Sequence, residues 1–483
     1  MSFNSYIFIL FFLPVTVLGY FVWNHWQKYE LAKGWLLAMS LWFYAYFHIS
    51  YLLIILCSIC GNYLLYYLME KGRKRKLLMI LGVLGNLGIL FYFKYFDFFV
   101  ENIDQVLHIG IPLLNVLMPL GISFFTFQQV GFVVDAYKGE AKGYSFLDYA
   151  VFVSFFPQLV AGPIVTHEEF IPQLQDQTKK KSNADNVALG CMVFILGLSK
   201  KILIADIFGL AVDWGYENYA SMQSLGLLLT SLAYTVQLYF DFSGYSDMAR
   251  GLGLLFNFDL PMNFNSPYKA CSITDFWKRW HMTLTRFLTR YVYIPCGGSR
   301  KGSFRTCCNL ILVFLISGFW HGANWTYIIW GLLNGVACVV IRLVQKPHDR
   351  IPKPVRWLAT YAFFDLSVIY FRSESVAAAN LFIKRLFTAG WGQVPVTFAE
   401  KFQTGEFWYA LKIFHLTNLA IGPYLLMIAY FLVAAFLLFG CRNLGERMKT
   451  FRPTVISAVV AAGLLLWCLI SFSEVSTFLY FNF

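Results

Sequence analysis

His321 sits in the stretch LISGFWHGANW, residues 315 to 325, where one apolar run gives way to another and where Trp320 and Gly322 flank it at a possible glycine hinge. An ionisable side chain at that depth is costly when charged, so it is rare and usually faces an interior path. Burial favours the neutral imidazole, whose lone pair can take a proton from a hydroxyl, and such a ring in a wet cavity is a good general base. A buried histidine that only hydrogen-bonds a helix carbonyl fits the same residues equally well. Chemistry alone leaves both readings open.

The remaining ionisable residues are weighed in the same way. Of the eight histidines, His25 lies beside Trp23 and Trp26 as an ordinary interfacial side chain, and His348 falls in a basic loop. No chemistry attaches to His48, His108 or His415. No metal site is expected, because neither His281 nor His321 has a second histidine or cysteine three or four residues away. The CSIC of residues 57 to 60 lies within an apolar run and has no second ligand pair, so its thiols read as small hydrophobes. There is no G-x-S-x-G elbow and no P-loop, and Gly297 and Gly298 read as a tight basic turn. In QLYFDFSGYSDMARGLG, residues 237 to 253, Asp241 or Asp247 is expected to pair with an arginine; the alternative is a polar lining for a cavity.

The elements that must hold these groups are membrane helices. The chain of 483 residues is 58% hydrophobic and 13% charged, with a mean hydropathy of +0.59, which excludes an ordinary soluble domain. Apolar segments run near 3–23, 33–48, 50–69, 77–98, 115–134, 147–163, 187–212, 223–241, 307–319, 324–345, 355–371, 418–440 and 454–472. The first has no basic leader and no cleavage pattern, and reads as a retained helix. The net charge of +12 comes from short clusters between apolar runs, the pattern of cytoplasmic loops, so no nucleic acid is implied. Placing KGRKRK, residues 71 to 76, in the cytoplasm puts Lys28 and Lys33 inside and the N-terminus outside.

Two kinds of segment depart from simple spans. Pro119, Gly121 and Gly131, and then Pro157, Gly162 and Pro163, interrupt apolar runs; such backbone is tolerated only inside protein or along a cavity, and a cavity lining is expected. TDFWKRWHMTLTRFLTRYVYI, residues 274 to 294, gathers Phe276, Trp280, Leu284, Phe287, Leu288 and Tyr291 on one face and Arg279, Arg286 and Arg290 on another. It reads as one amphipathic helix lying in the interface. With no repeat and no soluble insert, the chain reads as a single domain, residues 1–483.

As a set, PLGISFFTFQQVGFVVDAYKG, FFPQLVAGPI, YFDFSGYSDMARGLG, SITDFWKRWHMTLTRFLTRYVYIPCGGSRKG and GFWHGANWTYIIWGLLNG resemble, in this order, the membrane-bound O-acyltransferase family. The resemblance runs from about residue 115 to 340, and YIPCGGSRKG looks most like the branch of the bacterial alginate O-acetylation membrane subunit. It implies an all-α polytopic fold, a ring of about 11–13 transmembrane or re-entrant helices around a central funnel, with the donor reaching the site from the cytoplasm. It also implies that His321 is catalytic, that His281 of the WKRWH motif orients or polarises the thioester, and that Trp277, Arg279, Trp280, Asp241 and Asn324 bind the donor or line the cavity. Arg279, Arg286 and Arg290 would attract coenzyme A phosphates or anionic lipid headgroups.

No bound cofactor is expected. Acetyl-CoA or another acyl thioester, on CoA or on an acyl-carrier protein, would be the cytoplasmic substrate; an extracytoplasmic acetyltransferase or a polysaccharide would be the partner, with membrane lipids around the chain. D-alanyl transfer to teichoic acid, membrane transport and a purely structural scaffold are the competing readings, and the absence of paired broken helices in two halves speaks against a transporter.

Overall fold

The computed structural model describes residues 1–46, 48–413 and 421–474; His415 and the C-terminal FLYFNF lie outside the described residues. Among the described residues the regular elements are helices, and eight helices are long and apolar enough to cross a membrane. The protein is thus an all-α, multi-pass membrane protein. Several apolar runs fold into shorter helices. Residues 33–48 and 115–134 fold as the 17-residue helices Tyr29–Ala45 and Ile122–Lys138. The 147–163 run breaks into Phe146–Ser154 and Phe156–Leu159, with Pro157 in the first turn of the second piece.

The chain forms two compact units, one of residues 1–195, 246–262 and 453–458, the other of 196–245, 263–452 and 459 onward. In the first, rings of Phe3, Phe8, Phe12, Phe43 and Phe156 pack edge-on, tilted or, for Phe8 and Phe12, stacked, with centroids 5.0–6.4 Å apart. Beside them a buried amide network ties three helices together. Asn62 Nδ2 donates to Gln129 Oε1 at 2.9 Å, Asn86 Nδ2 to Asn62 Oδ1 at 2.6 Å, and Gln129 Nε2 to Ser58 Oγ at 2.8 Å. In an apolar environment such bonds are the main alternative to unsatisfied polar groups, so they fix helix register. Pro119 and Gly121 end the irregular stretch before Ile122–Lys138, with Gly121 at φ +73°, whereas Gly131 sits inside that helix without breaking it. The interrupted segments are buried inside this unit.

The second unit carries the two histidines. Its elements are the long helix α1, Ser224–Leu255, whose last residues belong to the first unit; the short α2, Ile273–Trp277; α3, Met282–Leu288; the hairpin α4, Ser303–His321, and α5, Trp325–Leu343; and α6, Gln345–Arg350. The single amphipathic helix expected over 274–294 is two short helices. They are separated at His281, which takes the left-handed conformation with φ 44° and ψ 54°. Of the apolar face, Phe276, Trp280, Leu284, Phe287 and Leu288 are buried within the protein and Tyr291 is half-buried.

Small residues set the α4–α5 crossing. A Cβ on Gly318 would lie 2.3 Å from the Tyr327 carbonyl oxygen, and one on Gly331 would lie 2.4 Å from that of Phe314. The two backbones therefore touch directly, in the manner of small-residue helix pairs in membranes. Gly331→Ala is expected to cost about 1–3 kcal/mol through overpacking and to lower the unfolding midpoint in detergent. Gly463→Ala, at a helical glycine with nothing within 4 Å, serves as the control and should leave the midpoint unchanged or raise it, since Gly to Ala in a helix favours folding by roughly 0.5–1 kcal/mol.

Candidate active site

His321 is the last residue of α4, and Gly322 follows in extended conformation at φ −169°. Gly322 is less a hinge than a contact, because the ring of Tyr327 packs where its side chain would be. The His321 imidazole is 4% exposed and boxed by aromatic rings: Trp320, Trp330 and Phe371, with centroids at 4.9, 5.3 and 5.1 Å. All three rings stand close to perpendicular to the imidazole, an arrangement that fixes its orientation.

His281, 1% exposed, reaches the same region from the break between α2 and α3. Phe242 of α1 lies 4.8 Å from its ring centroid, and Trp320 lies 6.1 Å away, so one indole contacts both imidazoles. The break is held by residues 263–265: Met282 N donates to Asn263 O at 3.0 Å, and Asn265 N donates to Arg279 O at 2.9 Å. His281 lies outside the spanning helices, and burial pulls its imidazole down to about 3. It is therefore neutral at physiological pH, since protonation would require acid near that value.

Both histidines line one cavity of about 460 Å³, large enough for a sizeable organic ligand. Trp277, Trp280, Leu284 and Phe314 supply apolar wall, and Ser317 and Thr285 supply hydroxyls. Trp277 is fixed from behind by its Nε1–H, which donates to Asn334 Oδ1 at 3.3 Å. A second part of the lining is polar: Lys278, Arg342, Gln345 and Asp349 are exposed and His348 is half-buried. Asp349 is engaged by Arg356 at 3.0 Å and by His348 at 3.4 Å, which leaves Lys278 and Arg342 as the cations of this part.

The structure sorts the sequence candidates. His321, His281, Trp277 and Trp280 come together in the cavity. Arg279 turns aside to pair with Asp275 at 2.9 Å, its neighbour one turn back, and Lys278 takes the place at the cavity expected of Arg279, Arg286 and Arg290. Asn324 caps α5, accepting from Thr326 N at 3.0 Å and donating to Glu374 O at 3.0 Å. Asp241 is held by Lys201 at 2.7 Å, and Lys201 also binds Asp206 at 2.6 Å. The lysine escaped sequence reading because it is the second of two adjacent lysines, Lys200 and Lys201, inside an apolar run.

Other residues were also invisible in the sequence. Trp320, Trp330, Phe371 and Asn263 read there as ordinary apolar or loop positions, and only WKRWH beside the N-x-N of residues 263–265 hints at a turn. His348 moves from a basic loop to the cavity rim. In the other unit Asp135, His167 and Glu168 bring ligand-type atoms within 4.8 Å of one another, and Lys138 stands 3.7 Å from Asp135. His167 Nε2 is 3.3 Å from Asp135 and its Nδ1 is 3.1 Å from the Tyr144 hydroxyl.

Comparison with known proteins places this geometry in a family context. Residues 113–378 match MBOAT, membrane-bound O-acyltransferase family. The chain is 40% identical over 519 aligned positions to the peptidoglycan O-acetyltransferase of Helicobacter pylori, covering 100% of this chain and 97% of that protein. It is 35% identical to the probable alginate O-acetylase of Pseudomonas aeruginosa, covering 96% and 86%. Similarity to the teichoic acid D-alanyltransferase of Bacillus subtilis is 29% and covers 50% of this chain and 63% of that one. Removing the α5 cap in Asn324→Ala is expected to cost about 1 kcal/mol, read as a lower unfolding midpoint in detergent.

Proposed function

Because the chain belongs to the membrane-bound O-acyltransferase family and is an O-acyltransferase, we propose that it moves an acetyl group from a cytoplasmic thioester to a hydroxyl of a cell-envelope polysaccharide, directly or through an extracytoplasmic partner. The observation that carries this reading is the convergence of two buried imidazoles on one cavity whose lining also includes exposed cations. His321 takes the proton of the acceptor hydroxyl as its oxygen attacks the thioester carbonyl. The tetrahedral centre then collapses, the C–S bond breaks, and the leaving thiolate receives that proton to become the free thiol. Proton removal of this kind contributes typically about 10²–10⁴ in rate, and holding both substrates in one enclosed space contributes further.

The apolar wall of Trp277, Trp280 and Leu284 suits the pantetheine arm, while Lys278 and Arg342 suit its phosphates, on coenzyme A or on a carrier protein. Thioesters of this kind are cytoplasmic, so the charged part of the cavity faces the cytoplasm in this reading. The N-terminus is then extracytoplasmic, in line with the basic cluster at residues 71–76. Peptidoglycan or an alginate-like polymer is the acceptor favoured by the names of the full-length relatives.

Mass analysis of envelope glycans tests the reading. A deletion strain complemented with His321→Ala should lack the O-acetyl mass that the wild-type gene restores, with the variant present in the membrane at normal level. Glycans acetylated as in wild type by the variant would remove the catalytic role of His321. Arg342→Ala is expected to raise KM for an acyl thioester roughly tenfold, the effect of losing one charge-assisted bond, with little change in kcat. An unchanged KM for both the CoA and the carrier-bound donor would remove the phosphate contact.

A further inference from the structure

Resting on the reading that His281 serves the acyl-transfer cavity, we propose that Asn263 is a positioning residue that locks the His281 ring in its Nδ1–H form, so that His281 faces the substrates as a hydrogen-bond acceptor. The argument begins with the amide orientation. Asn263 Oδ1 and Nδ2 are told apart by their partners, and the backbone N–H of Thr283, 3.3 Å away, can only donate. The atom it meets is therefore the oxygen. The same oxygen receives the Thr283 hydroxyl at 3.0 Å and stands 3.1 Å from His281 Nδ1.

An amide oxygen has no hydrogen to give, so Nδ1 must be the protonated nitrogen of the neutral ring. The other ring nitrogen, Nε2, then carries a lone pair and no proton. Asn263 and His281 are both buried, and Asn263 O holds the Met282 N–H as well, so side chain and backbone of one residue fix both the ring and the left-handed turn beneath it. A ring so arranged cannot donate to a thioester carbonyl at rest. The polarising role that family resemblance gives His281 is replaced by an accepting one, toward an O–H, S–H or N–H of either substrate.

Charged and titratable groups on the elements around His281 include Tyr239, Asp241, Tyr245 and Asp247 on α1, with Lys201 on Asp241; His321 on α4; Lys269 on the preceding loop; and Asp275, Lys278, Arg279 and Arg286 on its own segment. None of these supplies the acceptor at Nδ1, which is the Asn263 oxygen. Asn263→Asp keeps the shape and all three donors but puts a carboxylate there, which favours the imidazolium. Activity that needs the neutral ring is present above the His281 value and lost as pH falls through it. The substitution therefore moves the acid limb of the rate profile upward, by roughly one to three pH units for an opposite charge at this distance.

The experiment has two arms. In the first, the wild-type protein in detergent, labelled with ¹⁵N-histidine and assigned by the signals lost in His281→Gln, should show Nδ1 protonated and Nε2 bare at pH 7; the opposite tautomer overturns the proposal. This arm needs no turnover, so it stands even if the acyl-transfer reading fails. In the second, acyl-thioester turnover against pH should show the raised acid limb in Asn263→Asp and a roughly 10- to 100-fold loss in Asn263→Ala, as for removal of other residues that orient a functional histidine. A profile in Asn263→Asp that overlays the wild type overturns the proposal. Full turnover by His281→Ala instead overturns the use of His281 in the cavity, leaving the tautomer result untouched.

Discussion

The direct backbone contact of α4 with α5 at Gly318 and Gly331 decides where His321 can stand. With side chains absent at both positions, each backbone reaches within van der Waals distance of a carbonyl on the other helix, so the hairpin has essentially one register. One turn beyond Gly318 the helix ends at His321, and the packing of Tyr327 on Gly322 sets the angle of the chain leaving it. The imidazole is thereby delivered into a box of Trp320, Trp330 and Phe371 that was assembled by the same hairpin and its neighbour Lys353–Arg372. In a lipid environment, where apolar side chains gain little by leaving the solvent, such close packing is the main source of helix association.

His281 reaches the cavity by the opposite device, a break instead of a continuous helix. A left-handed residue other than glycine is costly unless its surroundings hold it, and here the backbone bonds of Asn263 and Asn265 do so. The turn it creates lets α2 and α3 present Trp277, Trp280 and Leu284 to the same space as His281. Rigid hairpin and held turn thus bring two rings, forty residues apart in the chain, against a single indole. Preorganisation of this kind is what a transfer between two bound substrates requires, because the reacting groups must be aligned before either moves.

The buried charges outside the cavity follow a different rule. Lys201 pairs with Asp206 and Asp241 in one unit, and Lys33 pairs with Asp148 and Glu30 in the other unit. Desolvation opposes each member and the partners offset it, so removing one would leave an uncompensated charge. These groups hold helices in place. The cavity instead carries its cations, Lys278 and Arg342, at exposed positions, where charge costs least to maintain.

The sequence by itself determined the class of the protein and singled out residues that the fold brings together. Hydrophobic composition and repeated apolar runs demanded a polytopic helical protein, and an imidazole between two such runs is rare enough to be noticed without coordinates. Ordered motifs then led to His281, Trp277 and Trp280, all of which the fold gathers in one cavity. Tertiary structure alone decided which neighbours serve them. Lys278 lines the cavity, whereas Arg279 pairs with Asp275 one turn back. Asn324 became a cap, Asp241 found a lysine, and Asn263 acquired its partners. Periodicity records which face of an element is apolar, but a hydrogen-bond partner is chosen by atoms brought close from distant parts of the chain, and spacing along the sequence carries no trace of that choice.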